Sequence, residues 1–268
     1  MSDKKPQKGG SRFRGGGKIG SLNEPLITVI TSKLNAERYL PTAIRSIREQ
    51  NYKNIEYIVV DCASTDGTVD ILRANEDIID CWLSESDDGI YDAWNKAIKL
   101  SHGEWLAFLG ADDAFMGDAI QNYVDFINKY DDSSLEYVSS KVNLIDNSLV
   151  LQTIGKQWNW STFKRYMNIA HPGSFHRRKL FREYGFFNTD LKICSDYEFL
   201  LRPKSRLHAA YLNVVTVNMR AGGLSNTDLR AVYEAAIAKT ISGKRNFFFC
   251  EMEKYWAITK WHIKRILR

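Results

Sequence analysis

Between residue 26 and about residue 128 the apolar positions switch repeatedly between two spacings. "LITVIT" (26–31) is a short β-branched run, the pattern of a buried strand. Leu40, Ile44 and Ile47 then recur at helical spacing. "IEYIVVD" (55–61) predicts a second strand, and "STDGTVDILRAN" a turn entering a helix, with Ser64 or Thr65 as its N-cap. "DCWLSE" (80–85) predicts a third strand. Ile90, Trp94, Ala97 and Ile98 mark the apolar face of another helix, and "EWLAFLG" (104–110) predicts a fourth strand. Such alternation predicts an α/β domain with a mainly parallel sheet flanked by helices.

Beyond Asn128 the rhythm loosens. "LEYVSSKVNLID" and "SLVLQTIG" meet near Asp146-Asn147 and predict a β-hairpin. Helices are predicted at about 159–167, 177–184 and 195–202, a strand over 210–219, and helices at about 227–242 and 247–267. Residues 1–24 are rich in Gly, Lys and Arg and nearly free of apolar side chains, so they predict a disordered basic tail.

Composition narrows the class. With 268 residues, 44% of them hydrophobic, the chain can bury one large core. Cys62, Cys81, Cys194 and Cys250 lie far apart with no CxxC pair, which argues against a zinc ribbon or a disulfide framework and for a reducing compartment. No apolar run reaches the ~18 residues of a transmembrane helix, and "MSDKKPQKGG" lacks the apolar centre of a signal peptide. Charge is uneven. Residues 1–25 hold six Lys/Arg against two acids, and residues 244–268 hold seven against two. That leaves 24 bases and 28 acids between 26 and 243, a net of −4. Basic ends point to an anionic partner, lipid headgroups or nucleic acid.

In an open parallel sheet, ligands sit beyond the carboxyl ends of the strands. Asp61 ends the second predicted strand, Glu85, Asp87 and Asp88 follow the third, and Asp112 and Asp113 follow the fourth in "LGADD". Converging carboxylates repel unless a cation joins them. Mg²⁺ or Mn²⁺ binds through one or two carboxylates together with substrate phosphates. The other reading of the Asp112–Asp113 pair is a cap for a helix starting near Met116. No Walker lysine motif occurs, and no GxGxxG follows the first strand, which disfavours a P-loop NTPase and a Rossmann dehydrogenase.

Together, "ITVITSKLNAERYLPTAIRSIREQNYKNIEYIVVDCASTDGT" and "SESDDGIYDAWNKAIKLSHGEWLAFLGADD" closely resemble the family-2 glycosyltransferases of the GT-A fold, of the bacterial surface-polysaccharide type. The resemblance is strong from 26 to about 115 and looser to about 225. It implies a GT-A domain over 25–225, with a donor half at about 25–128 and an acceptor half at about 129–225, followed by C-terminal helices over 226–268. It implies inverting transfer of a sugar from a nucleotide-sugar donor, a UDP-sugar by family frequency, to a hydroxyl of a glycan or lipid-linked glycan. In the loop after the first strand, Thr31, Asn35 and Glu37 would contact the nucleotide. Asp61 would bind the base, Asp87 would be a further nucleotide contact, Asp112 would face the ribose or the metal, and Asp113 would be the main ligand of Mn²⁺ or Mg²⁺. Ala111 stands where the DXD motif has its first Asp.

Downstream, "HPGSFHRRKLFREYGFFNTDLKICSDYEFLLR" (171–202) resembles the acceptor-side segment of bacterial members, a resemblance that implies Asp196 as the catalytic base. Asp196 also reads as a first-turn residue, where the helix dipole favours its ionised form, or as part of the helix cap. His171 reads either as an acceptor contact or as a hydrogen-bonded structural residue, and Arg177 as an acceptor contact or a surface charge. "RAGGLSN" (220–226) is a lid or a plain loop; the His with which some members hold the metal there is absent. The aromatic, basic segment 244–268 predicts a helix that either lies on an anionic membrane surface or packs on protein. The implied setting is the cytoplasm, at the inner membrane face if that helix binds lipid. Two other functions compete. A sugar nucleotidyltransferase would need a Gly- and Arg-rich loop that "TSKLNAERYL" does not provide. A nucleic-acid-binding module acting through the basic tails leaves Asp61, Asp113 and Asp196 without a role.

Overall fold

The computed structural model describes residues 5–15, 17–130, 132–223 and 227–266, of which 264–266 as helix backbone only. Among these residues one sheet of ten strands organises the fold. The strands are β1 (Gln7–Gly9), β2 (Ile27–Lys33), β3 (Ile55–Asp61), β4 (Cys81–Ser84), β5 (Trp105–Phe108), β6 (Ala114–Phe115), β7 (Tyr137–Asp146), β8 (Leu149–Ile154), β9 (Ser174–Arg177) and β10 (Ala209–Arg220). Their order is β1-β4-β3-β2-β5-β9-β7-β10-β6, with β8 paired to β7.

The centre is parallel. β3 lies between β4 and β2, and β2 between β3 and β5. The chain builds outward from β2 to β4, then returns to the far side of β2 as β5. The strand order therefore reverses beside β2, the kind of place where an open sheet leaves a crevice at its carboxyl edge. Crossovers between these strands are α1 (Leu40–Arg48), α2 (Thr68–Ala74) and α3 (Ile90–Leu100). All seven residues of β3 are buried, as expected for a strand covered by helices on both faces. Alternate residues feed two cores: Val29, Tyr57 and Val59 on one side, Ile30, Ile58 and Val60 on the other. On α1, Leu40, Ala43, Ile44 and Ile47 turn inward, and Pro41 sits in the first turn where no N–H partner is lost.

The second half is mixed. β9 runs antiparallel between β5 and β7, while β7 and β10 are parallel. β7 and β8 form the expected hairpin, with Asn147 in the left-handed conformation at φ 52°. The remaining helices are α4 (Ala119–Lys129), α5 (Trp160–Phe163), α6 (Lys179–Tyr184), α7 (Ser195–Leu201), α8 (Arg230–Ile241) and α9 (Phe247–Ile266).

Several expectations are corrected. In place of a disordered tail over 1–24, β1 adds to the sheet beside β4, and a 3₁₀ turn follows at Ser11–Arg14; residues 1–4 lie outside the described residues. Composition judged the tail by its own apolar content, but its partners lie elsewhere. Arg12 pairs with buried Glu56, and Lys18 with buried Asp80 at 2.8 Å. Gly10 takes φ 120°, and a Cβ there would meet the Asp80 carbonyl at 2.5 Å. Those low-complexity glycines are what let the strap lie flat on β4. The helix expected near Met116 starts at Ala119, because β6 intervenes. Neither Ser64 nor Thr65 caps α2; Asp66 instead accepts the Thr68 N–H at 3.0 Å. On α3, Ile90 is exposed and Tyr91 is buried in its stead.

Candidate active site

At the carboxyl edge of the parallel strands, Lys33 of β2 is in register with Asp61 of β3, and Asp61 with Ser84 of β4. The loops after β2 and β3 are laced together. The Asn35 N–H donates to Ser64 Oγ at 2.7 Å, and Asn35 Oδ1 accepts from the Thr65 N–H at 3.0 Å. The Glu37 N–H donates to Asp66 Oδ2, and Glu37 Oε2 accepts from the Gly67 N–H, both at 3.1 Å. Asn35 and Ala63 both sit at positive φ, 52° and 51°. For a residue with a Cβ this costs about 1–2 kcal/mol. The lacing holds that strain in place at the mouth of the edge.

Asp112 and Asp113 follow β5 on the same edge. Lys33 Nζ lies 3.2 Å from Asp112 Oδ2. Asp113 is 6% exposed, and its Oδ1 accepts the Arg220 N–H at 3.0 Å. Burial, together with the charge of Asp112, pushes the Asp113 carboxyl up to about 7 against the pull of the Arg220 and Gly110 backbone. A Cβ on Gly110 would lie 2.6 Å from Asp113 Oδ2 and 3.1 Å from Asp112 Oδ1, so both carboxylates crowd one small space. This donor set fits a hard divalent cation. The Arg220 N–H occupies Oδ1 of Asp113, and a cation between the two groups would relieve both repulsion and desolvation. Among the described residues no group of three His, Cys, Asp or Glu forms a metal cluster. The pair does not cap α4: the Ile120 N–H goes to Gln50 Oε1 and the Phe115 N–H to Ser46 Oγ.

Arg220 escaped the sequence reading. It ends β10; its backbone N–H is the group that meets Asp113, while its guanidinium lies 4.8 Å from the centroid of the Tyr39 ring.

Asp196 opens the first turn of α7. Its Oδ1 accepts from the Tyr91 hydroxyl at 3.0 Å and from the Tyr197 N–H at 2.8 Å. Burial pushes its carboxyl up to about 6, against these two hydrogen bonds. It is thus ionised at neutral pH yet basic enough to take a proton. Further contacts tie its surroundings to the loop after β4. Lys192 Nζ donates to the Asp88 carbonyl at 2.7 Å, and Asp87 Oδ1 accepts the Gly89 N–H at 2.9 Å in the turn that starts α3 and hence carries Tyr91. A second unforeseen residue braces this arrangement. Glu234 of α8 accepts the N–H groups of Lys192, Ile193 and Cys194 at 2.9, 2.7 and 2.9 Å.

Not every expected contact reaches the edge. Asn35, Glu37, Asp87, Asp112 and Asp113 lie in loops at that edge, and Asp196 is joined to the loop after β4 through Tyr91 and Lys192. Thr31 is fully buried, and its hydroxyl accepts from Tyr57 at 3.2 Å. Asp61 is 1% exposed. Its oxygens are taken by the N–H and hydroxyl of Ser64 and by the Ser84 hydroxyl, so it holds the loop rather than facing a base. His171 is stacked between Trp94 and Phe108, at 5.0 and 5.1 Å between ring centroids. Burial pushes it down to about 3. It is a neutral core ring, not an exposed acceptor contact. Arg177 pairs with Trp105 at the start of β5, the opposite edge of the sheet. There it binds Glu104 at 2.7 Å and the carbonyl of Ser133 at 2.6 Å. The lid segment 220–226 falls partly outside the described residues, which omit 224–226.

Comparison with known proteins gives the family. Residues 28–202 match the model of the family described as glycosyl transferase family 2. A PGL/p-HBAD biosynthesis glycosyltransferase of Mycobacterium tuberculosis is 32% identical over 216 residues, covering 76% of this chain and 80% of the relative. Among solved structures, S. aureus TarS 1–349 in complex with UDP-GlcNAc superposes with a TM-score of 0.65 at 17% identity, over 85% of this chain and 70% of that one. The mannosyltransferase PcManGT from Pyrobaculum calidifontis, in complex with GDP-Man and Mn²⁺, gives a TM-score of 0.62 at 17% identity, over 94% and 78%. These likenesses carry the fold, and the family model spans well over half the sequence: the chain belongs to glycosyl transferase family 2 and is a glycosyltransferase.

Proposed function

We propose that the chain performs an inverting transfer of a sugar from a UDP-sugar to a hydroxyl of a glycan or lipid-linked glycan, aided by Mn²⁺ or Mg²⁺. The observation that carries this reading is the placing of two carboxylate sets on one sheet edge: the crowded Asp112–Asp113 pair after β5, and Asp196 joined to the donor-side loop through Tyr91 and Lys192. Asn35 and Glu37 would border the nucleotide, with Asp87 close by. Asp112 and Asp113 would hold the cation, which when bound supplies positive charge to a departing diphosphate. Lys33, 3.2 Å from Asp112, adds a protein-borne positive charge beside it. Asp196 would accept the proton of the acceptor hydroxyl as that oxygen attacks the anomeric carbon and the bond to the diphosphate breaks. Tyr91 holds the base in position. The donor would then occupy the 25–128 half and the acceptor the face around α7. Arg12, Arg14 and Lys18 are engaged by acids of the same chain, which counts against a tail that binds nucleic acid.

Thermal shift with UDP, GDP and CDP, each with Mn²⁺ or with EDTA, tests the donor half. UDP with Mn²⁺ is expected to raise Tm by about 3 °C or more through ligand linkage. EDTA or Asp113→Asn abolishes the shift. Asp196→Asn keeps it while lowering turnover of a donor–acceptor pair by about a thousandfold. A shift that survives in Asp113→Asn refutes the metal site, and near-normal turnover in Asp196→Asn refutes the base.

A further inference from the structure

Helix α9 is built inside out. Its side toward the protein carries charge. Glu253 bonds Lys239 at 2.9 Å and Arg245 at 2.7 Å, and these partners hold its carboxyl at about 2 in spite of partial burial. Cys250 is the buried apolar contact on that side. The opposite side is apolar and open. Phe248, Phe249, Met252, Tyr255, Trp256 and Ile263 share one face at helical spacing, and Phe248 and Trp256 are 66% and 63% exposed. A helix that packs only on its own domain shows the reverse pattern.

The face continues onto α8. Tyr233, Ile237 and Ile241, four residues apart, are exposed along one stripe. Lys254 Nζ lies 5.4 Å from the Tyr233 ring centroid and 5.0 Å from that of Tyr255, at the seam of the two stripes. Lys260 Nζ lies 5.0 Å from the Trp256 ring. Contiguous exposed apolar area of this kind marks an interaction surface.

We propose that this two-helix face docks on the surface of an anionic lipid bilayer. Three observations select that occupant. The segment 244–268 carries seven Lys/Arg against two Glu, so it is attracted to anionic headgroups, whereas a second copy of the chain would bring the same positive charge against it. Its apolar residues are largely aromatic, with lysines beside the rings, the arrangement that suits the boundary between headgroups and acyl chains. No helix among the described residues is long and apolar enough to cross a membrane, so the contact is with a surface. The inference does not depend on the sugar-transfer reading.

Co-sedimentation of the full chain tests it, using vesicles of phosphatidylcholine alone and vesicles with roughly 30% phosphatidylglycerol, an anionic charge density within the range that attracts basic segments. Binding to the anionic vesicles is expected to exceed binding to the neutral ones by about tenfold. The double variant Phe248→Ser/Trp256→Ser, with circular dichroism and Tm unchanged, loses about tenfold in affinity. Should that variant fail to fold, Lys260→Glu, which alters only a rim charge, is expected to weaken anionic binding about fivefold. Absence of binding, equal binding to both vesicle types, or sedimentation equilibrium showing a dimer that the double variant abolishes would each overturn the proposal.

Discussion

Asp196 sits among buried groups, so its carboxyl gives up its proton near pH 6 rather than near pH 4. The Tyr91 hydroxyl opposes that rise by donating to the ionised form. Tyr91→Phe removes the donor and leaves the burial. The Asp196 pKa should therefore climb further, and, with Asp196 as the proposed base, the acid limb of the pH–kcat profile should move up by about 0.5–1 unit while the plateau near pH 8 changes less than about fivefold. The sign for stability is the same: a carboxyl raised above its unfolded value favours folding at low pH, and that contribution is lost as pH rises through the folded pKa near 6. Profiles from pH 5 to 9 for both proteins would measure the shift; an unmoved limb would mean that Tyr91 does not set the base. The place of Asp196 was legible, because a helix start and a family motif coincide there. Tyr91 was not, since it lies 105 residues away inside an apolar periodicity. Strand ends also misled. Sequence places Thr31 and Asp61 at the open edge but does not say which way a side chain points, and both point inward.

At the scale of elements, the alternation from residue 26 onward was legible because each strand is a run covered on both faces and each helix has a distinct apolar stripe. β9 was not, since four residues of "SFHR" show no alternation and the strand exists only because β5 and β7 leave a gap for it. β1 was hidden for a related reason: its partner edge and the acids that neutralise its charge are far along the chain. The strap can be weighed residue by residue. Glu56 is 3% exposed, and besides Arg12 it accepts from Thr28 Oγ1 at 2.6 Å and the His102 N–H at 2.7 Å. Those hydrogen bonds and Arg12 hold its carboxyl low in spite of desolvation. Arg12→Ala leaves a buried charge short of its cation and should cost about 1–3 kcal/mol. Arg14 pairs with Glu76 in a more open setting, so Arg14→Ala should cost no more than about 0.5 kcal/mol. Urea unfolding of the two variants at pH 7 compares them directly. Equal costs would mean that the strap does not depend on the buried pair.

Over the whole molecule, the C-terminal helices are joined to the chemistry. The 226–268 segment reads in sequence as an addition to a finished domain, yet Glu234 of α8 gathers three consecutive backbone N–H groups just before α7. A second tie is the Cys194 thiol, which donates to the Ala231 carbonyl at 3.3 Å. Those N–H groups belong to the loop that delivers Asp196, and charge-assisted bonds to one carboxylate fix it more firmly than neutral ones would. The loops after β2 and β3 are held separately, by Asn35, Glu37 and Asp61. A defect at Glu234 should therefore separate the two halves of the reaction. Glu234→Ala is expected to lower kcat by about 10–100-fold, the usual consequence of a reacting group displaced by an ångström. The dissociation constant for the nucleoside diphosphate should change less than about twofold, because the loops of Asn35, Glu37 and Asp61 are not touched. Truncating only α9, whose Glu253 pairs with Lys239 and Arg245, should leave kcat for a water-soluble acceptor within about threefold. Steady-state kinetics on the variants, with nucleotide affinity from calorimetry, would decide. If Glu234→Ala weakens nucleotide binding as much as it slows turnover, α8 supports the whole edge and not the base alone.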